Sequence, residues 1–156
     1  MPMTDQTPPD RATVLSRSGL DYMRGMLAGE LPRAPIAETM NFRLHGVDPG
    51  RVAFRGSPLA AHGNPFGATH GGWYGAILDS ALGCAVMTTV PQGSVYTTLE
   101  YKVNITRALP PGMAAEAIAT VAHAGRSTAV ATVELRGLED GRLYATGSTT
   151  CLIMTG

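Results

Sequence analysis

A long apolar run between Gly71 and Pro91 is the strongest feature of the hydrophobic pattern. Alanine, leucine, isoleucine, valine and methionine follow one another there with few interruptions. The stretch before the run, residues 64–72, is rich in Gly, Pro and Asn, which mark turns. The pattern therefore predicts a helix that begins near Gly71 and ends before Pro91.

Alternating apolar and polar residues predict strands on both sides of this helix. Before it, the turn Asp48-Pro49-Gly50 separates two alternating segments, so residues 40–58 are expected to form a β-hairpin. After it, four segments with short turns are predicted to be antiparallel neighbours: residues 95–106, 113–123, 126–136 and 143–154. In the first of these, the apolar residues at odd positions are expected to face the core: Val95, Leu99, Tyr101, Val103 and Ile105.

The segment before the hairpin is predicted to be an appendage of the main unit. Residues 1–18 are polar and contain proline, which is typical of loose chain. A short helix is expected from Leu20 to Leu31, where apolar residues form one stripe that Pro32 ends. We therefore divide the chain into a tail with a short helix, residues 1–35, and a main domain, residues 36–156.

The order of these elements favours an α+β fold. A long apolar helix must be covered on most of its surface. The simplest cover is one antiparallel β-sheet that curls around the helix. A chain of 156 residues is long enough to bury such a core.

Composition narrows the classes of function. Twelve basic and twelve acidic residues cancel, which argues against a nucleic-acid-binding surface. No segment is uniformly apolar enough to span a bilayer, and the first residues lack the apolar region of a secretory signal. Cys84 and Cys151 have no metal-binding or disulfide spacing and are expected in the core. We therefore expect a cytoplasmic protein that holds no metal.

Asp79 does not fit its surroundings in the predicted helix. A carboxylate among apolar side chains is unfavourable unless it is paired or hydrogen-bonded. Residues three and four apart share a helix face, and the face of Asp79 otherwise carries mainly small residues: Gly72, Gly75, Ala76 and Gly83. Another backbone or a ligand can therefore approach the acid, which favours a functional role. A hydrogen bond to a neighbouring loop is the structural alternative.

The beginning of the same helix offers a second chemical group. A helix N-terminus has unpaired N–H groups and a partial positive charge, and Gly71 and Gly72 leave those groups accessible. Such donors can stabilise an oxyanion, while a nearby acid can act as a nucleophile or as a base on water. The sequence has no nucleophile elbow, P-loop or dinucleotide fingerprint. Hydrolysis of an activated acyl compound is therefore the favoured chemistry.

One motif resembles that of a known family. The pattern Asn64-x-x-Gly67-x-x-His70-Gly71-Gly72, followed by Asp79, is similar to that of the hotdog-fold acyl-CoA thioesterases of the phenylacetate-degradation (PaaI-like) type. The segment 98–107 is similar to the family's strand after the helix, except that Ala108 stands where the family often has proline. The resemblance covers about residues 36–154. It implies the hotdog fold, in which an antiparallel sheet wraps a long central helix.

The resemblance also implies a reaction. The protein would hydrolyse an acyl-CoA thioester without a cofactor, since coenzyme A is part of the substrate. Asp79 would be the catalytic carboxylate, and the Gly71 amide would polarise the thioester carbonyl. Thr98 would orient the acid or the water.

The resemblance implies roles for three further residues, each of which also has an ordinary structural explanation. Asn64 and His70 would shape the site and hold the carbonyl or water, and Arg126 would contact the phosphates of coenzyme A. Asn64 can instead start a turn, and His70 can instead make a hydrogen bond at the helix entry. Arg126 lies in a hairpin turn, where an exposed arginine is ordinary.

The acyl group is not fixed by the sequence. Trp73, Tyr74 and Phe66 lie near the motif and make an aromatic or medium-chain acyl group one alternative, although they can equally belong to the core. Two other functions also stay open. A hydroxyacyl-thioester dehydratase would pair a histidine with an acid, and the helix has no such pair. A non-catalytic acyl-CoA-binding hotdog module would not need Asp79.

The separation of the two candidate groups predicts a homodimer. Gly71 and Asp79 are eight residues apart, about 12 Å along a helix axis. One acyl carbonyl cannot contact both directly. Two helices that cross antiparallel about a twofold axis would bring the amide of one beside the acid of the other. We therefore expect a dimer with shared active sites, and the resemblance implies that such dimers often pair into tetramers.

Overall fold

An antiparallel sheet of six strands wraps one long helix in the computed structural model, which describes residues 7–156. Three short helices come first: α1 (Arg11–Leu15), α2 (Gly19–Leu27) and α3 (Pro35–Thr39). The central helix, α4, spans Gly71–Met87. The strands are β1 (Phe42–Asp48), β2 (Arg51–Gly56), β3 (Ser94–Ile105), β4 (Ala115–Ala124), β5 (Thr128–Gly137) and β6 (Leu143–Thr155). The predicted α+β architecture is confirmed.

Helix α4 forms the centre of the core, with the bounds that the apolar run predicts. Its largest apolar side chains are fully buried, among them Trp73, Ile77, Leu78 and Leu82. They pack with inward residues of the sheet such as Val52 and Leu135. Burial of this surface is the main driving force for wrapping the sheet around the helix.

The strand order is β1-β2-β4-β5-β6-β3, with every neighbouring pair antiparallel. The predicted hairpin is present as β1 and β2. The four strands after α4 are antiparallel neighbours, as predicted, but they do not follow sequence order, because β3 pairs with β6 instead of β4. Helix α4 carries the chain from β2 to the opposite edge of the sheet, so β4 pairs with β2. Strand β3 is therefore an edge strand.

A β-bulge changes which side chains of β3 face the helix. The register with β6 shifts between Thr98 and Glu100, so Leu99 is an extra residue. Such an insertion reverses the alternation of inward and outward side chains. Before the bulge the even residues Tyr96 and Thr98 face α4, so the prediction that odd positions face the core is wrong there. After the bulge the odd residues Tyr101 and Ile105 face the helix, although they are not fully covered. Leu99, Tyr101 and Ile105 are 58%, 46% and 49% exposed.

The N-terminal segment is more ordered than predicted. Residues 1–6 of the predicted loose tail lie outside the described part, but α1 forms after Asp10, whose side chain accepts from the Thr13 N–H at 2.7 Å. The predicted helix 20–31 is too long at its end, because Gly29 has a φ of +79° and closes α2 after Leu27.

The same segment packs on the C-terminal end of α4. The Gly19 N–H donates to the Val90 carbonyl at 2.9 Å. A Cβ at Gly19 would overlap the Met87 carbonyl, so this approach requires glycine. Pro35 begins α3, as proline often does at a first helical position. The domain boundary near residue 35 stays a prediction.

Candidate active site

Asp79 lies on the face of α4 that β3 covers. Thr98 on β3 donates a hydrogen bond of 3.1 Å from its hydroxyl to Asp79 Oδ1. The partner is thus a strand residue, not the neighbouring loop of the structural alternative. Burial raises the pKa of Asp79, and the hydrogen bond from Thr98 opposes that shift. A carboxylate with a raised pKa is a stronger base near neutral pH than an ordinary one.

Small residues on α4 allow β3 to come this close. A Cβ at Gly75 would lie 3.1 Å from Tyr101 Oη, and one at Gly83 would overlap the Tyr96 hydroxyl. The small face is therefore needed for helix–strand packing, and it also leaves the acid beside an open groove.

The start of α4 presents one free donor. His70 is the N-cap, and its Nδ1 accepts from the Gly72 N–H at 2.8 Å. A ring nitrogen that accepts carries no proton, so in the neutral ring the proton is on Nε2. Within residues 7–156 the Gly71 N–H has no acceptor. The Gly71 amide is therefore available to an incoming oxygen, whereas that of Gly72 is occupied.

Asn64 organises the loop that leads into α4. Its Oδ1 accepts from the Phe66 N–H at 2.9 Å and from the Ala68 N–H at 3.0 Å. This is the turn-forming alternative for Asn64, and it holds the loop in a fixed conformation. Phe66, at the tip, is 94% exposed.

A cavity of about 500 Å³ joins the start of α4 to Asp79. Of the predicted site residues it is lined by His70, Gly72 and Asp79. The other lining residues are Ile36, Met40, Ala61, His62, Gly63, Trp73, Gly75, Ala76, Ser80 and Tyr101. The lining does not include Gly71, Asn64, Phe66, Thr98 or Arg126.

Sequence reasoning missed several lining residues for different reasons. The alternation of apolar and polar residues along β3 indicates that Tyr101 faces the helix. It does not indicate that a cavity lies between this strand and the start of α4. His62 Nδ1 accepts a hydrogen bond from the Leu59 N–H, and its Nε2 donates one to the Thr39 carbonyl. Both ring nitrogens are therefore engaged. Trp73 contributes to both cavity and core, while Tyr74 is a core residue whose hydroxyl accepts from the Leu109 N–H.

Arg126 lies at the sheet end nearest the C-terminal half of α4. It precedes β5, where Ala129 pairs with Cys151, which in turn pairs with Thr98. Arg107 follows the other end of β3, on the side of Gly71: a Cβ at Gly71 would lie 3.7 Å from Ile105 Cδ1. The two arginines therefore lie toward opposite ends of α4.

Two negative findings apply to the described part of the chain. Residues 7–156 contain no group of three or more His, Cys, Asp or Glu side chains placed to hold a metal ion. None of the helices found there is long and apolar enough to cross a membrane.

Comparison with known proteins identifies the family. Residues 66–144 match the family model of the thioesterase superfamily, about half of the chain. The protein belongs to the thioesterase superfamily. Its predicted hotdog fold and its resemblance to the PaaI-like type are both confirmed. No curated protein matches the sequence.

Solved structures support the same assignment. A thioesterase family protein from Silicibacter pomeroyi is 28% identical, with 89% of this chain and 100% of that chain covered and a TM-score of 0.77. A phenylacetic acid degradation-related protein from Ralstonia eutropha JMP134 is 30% identical, with coverages of 84% and 98% and a TM-score of 0.76. The PaaI protein of E. coli shares the fold, with 19% identity, coverages of 89% and 98% and a TM-score of 0.77.

Proposed function

We propose that this thioesterase-superfamily protein hydrolyses an acyl-CoA thioester to the free acid and coenzyme A. The observation that carries the proposal is Asp79, a half-buried acid with a raised pKa in the same cavity as the start of α4. A buried acid without a catalytic role would be replaced at little cost by a neutral residue, because burying the charge is unfavourable.

The reaction needs a stabilised oxyanion and an activated nucleophile. The free Gly71 amide donates a hydrogen bond to the thioester oxygen and stabilises the negative charge that develops there. Asp79 either removes a proton from the attacking water or attacks the carbonyl itself to form an anhydride that water then cleaves. In both routes the thiolate of coenzyme A leaves and takes up a proton. Thr98 holds the acid, and Asn64 and His70 fix the loop and helix start that carry the amide.

The edge strand β3 supports shared sites in a homodimer. An exposed edge with apolar side chains is a surface that proteins normally cover, and β3 exposes Leu99, Tyr101 and Ile105. Helix α4 runs antiparallel to β3, since Gly71 lies beside Ile105 and Gly83 beside Tyr96. Pairing of two β3 edges about a twofold axis therefore sets the two α4 helices antiparallel. Pairing of these dimers into tetramers stays a prediction.

This arrangement also indicates where the coenzyme A end and the acyl end of the substrate bind. In the antiparallel dimer, the Arg126 end of one subunit lies beside the Gly71 end of the other, so Arg126 of the partner subunit can reach the phosphates of coenzyme A. The apolar lining, including Ile36, Met40 and Trp73, faces the acyl group and suits an aromatic or medium-chain acyl group. The reaction uses water and no cofactor. The free thiols Cys84 and Cys151 support a reducing compartment, the cytoplasm.

Two other functions are less well supported. A non-catalytic acyl-CoA-binding module gives no reason for a half-buried acid in the cavity. A hydroxyacyl-thioester dehydratase needs a histidine as acid or base, but the Nδ1 of His70 and both ring nitrogens of His62 are engaged in structural hydrogen bonds.

A panel of acyl-CoA thioesters tests the proposal. Purified protein is incubated with short, medium, long, aromatic and hydroxyacyl thioesters, and release of the thiol is measured with a thiol reagent, with the Asp79→Asn variant as the control. We expect thiol release by the wild type and little by the variant. Tight binding without thiol release would establish the binding module, and formation of an enoyl thioester would establish the dehydratase.

A further inference from the structure

Thr98 connects the candidate acid to a buried thiol. Thr98 donates to Asp79 Oδ1, and across the β3–β6 ladder its Cα lies directly opposite that of Cys151. Cys151 is fully buried. Burial raises the pKa of this thiol. Directly opposite residues of an antiparallel pair point to the same face of the sheet, with Cβ atoms about 4.5–5.5 Å apart, so the sulfur is the cross-strand neighbour of the hydroxyl that holds the acid.

The next contact fixes the direction of these hydrogen bonds. The Thr149 hydroxyl donates to the Glu100 carbonyl at 2.7 Å, so its only proton is used. At the 3.8 Å contact between Thr149 Oγ1 and Cys151 Sγ, the thiol must then be the donor. With its own proton directed to Thr149, the Cys151 sulfur can only accept from Thr98.

The Thr98 hydroxyl thus has one proton and two acceptors. While Asp79 is ionised, the carboxylate is the stronger acceptor, because charge-assisted hydrogen bonds are stronger than neutral ones. Once Asp79 is protonated, its own O–H can donate to Thr98, and the Thr98 proton then needs another acceptor. The Cys151 sulfur is placed to take it, which completes a chain from Asp79 to the Glu100 carbonyl.

We propose that Cys151 is a positioning residue for the acid: its sulfur accepts the Thr98 hydroxyl whenever Asp79 is protonated, so that Thr98 can accept from Asp79. The inference rests on the proposed function and deepens it. A general base carries the proton of the attacking water until it passes that proton on. A chain that stabilises the protonated carboxyl makes Asp79 a better base.

The other titratable groups near Asp79 do not replace this hydrogen-bond chain as the specific influence on the pKa of Asp79. Cys84 on α4 and Tyr96 on β3 are affected by the charge of Asp79, but both have raised pKa values and stay neutral at the pH in question, that of Cys84 being about 12. Across the cavity lie the titratable residues His62, His70 and Tyr101. None of the ion pairs formed by residues 7–156 involves Asp79.

Titration of Asp79 itself tests the proposal. The ¹³C shift of the Asp79 carboxyl, assigned by its loss in Asp79→Asn, is followed against pH in the wild type, Cys151→Ala and Cys151→Ser. Without the sulfur the protonated form loses its acceptor, so the midpoint in Cys151→Ala should fall by roughly half a pH unit. Cys151→Ser keeps an acceptor, so its titration midpoint should stay near that of the wild type. Cys151→Val fills the space without an acceptor and serves if Cys151→Ala does not fold.

Cys84→Ala is the matched control. It removes the other thiol near Asp79, outside the chain, and should leave the midpoint unchanged. The acidic limb of kcat/KM should move together with the midpoint in Cys151→Ala, with KM little changed. An unchanged or higher midpoint in Cys151→Ala and Cys151→Val would overturn the proposal. Because the titration needs no substrate, it decides the point even if the protein cleaves no thioester.

Discussion

The Tyr96 side chain packs end-on against Gly83, and a Cβ at Gly83 would overlap the tyrosine hydroxyl. Alanine is a better helix former than glycine by about 1 kcal/mol. Overpacking of a buried contact costs about 1–3 kcal/mol. We therefore expect Gly83→Ala to lower the free energy of unfolding despite its better helix propensity, as measured by urea denaturation.

Gly75→Ala is the matched control for this prediction. Its Cβ would lie 3.1 Å from Tyr101 Oη, the far end of a side chain that is 46% exposed in one subunit. The gain in helix propensity should then offset the small rearrangement, and the stability should change little or rise. Equal destabilisation by both substitutions would show that the Tyr96 contact has no special role.

Asp79→Asn should abolish most thioester hydrolysis while preserving the fold. Asparagine matches the shape of aspartate and can still accept from Thr98, but it can neither remove a proton nor act as a nucleophile. Loss of a catalytic group costs on the order of 10²-fold or more in kcat. Steady-state kinetics and circular dichroism check the two parts. A kcat within about threefold of the wild type, well below that 10²-fold expectation, would exclude Asp79 as the catalytic group.

The same substitution should change stability in a pH-dependent way. Burial raises the folded-state pKa of Asp79 above its ordinary value of 3.8, so ionisation is less favourable in the folded than in the unfolded state. Below pH 3.8 the group is neutral in both states and adds no penalty. The penalty grows as the pH rises through the folded pKa. Asp79→Asn should therefore be more stable than the wild type at neutral pH, by a margin that disappears at acidic pH in parallel denaturation curves.

Arg126→Ala should raise KM for acyl-CoA and leave kcat nearly unchanged. Contacts to phosphates far from the reacting carbon bind the ground state and the transition state equally. Arg107→Ala, toward the opposite end of α4, is the control and should have little effect. The reverse result, with KM raised only in Arg107→Ala, would put the phosphates at the Gly71 end of the same chain and argue against the shared-site arrangement.

The bounds of α4 could be predicted from the sequence because they depend on local signals. The apolar run and the glycine-rich start set its bounds, and the capping role of His70 is also local. The pairing of β3 with β6 could not be predicted, since alternation identifies a strand but not its partner. The bulge at Leu99 could not be predicted either. One inserted residue changes which positions face the helix, but it leaves the composition of the strand unaltered.

The site was only partly predictable for the same reason. Asp79 stood out as an acid in an apolar helix, and its bond to Thr98 fits the role that the resemblance implies. Tyr101 and Met40 reach the cavity through tertiary packing that no local pattern records. The thiol of Cys151 was expected only as core, since its relation to Thr98 depends on the β3–β6 register.

The shared-site arrangement makes the sharpest prediction, because it assigns Gly71 and Asp79 of one working site to different chains. Two inactive variants are required: Asp79→Asn, and Gly71→Val, whose side chain blocks the amide. They are unfolded and refolded together, and subunit exchange is verified by mass spectrometry. In a mixed dimer, one site collects both lesions and the other collects neither, so activity should return. Each variant refolded alone is the control. A mixture that stays as inactive as its parents despite proven exchange would show that one chain supplies both groups.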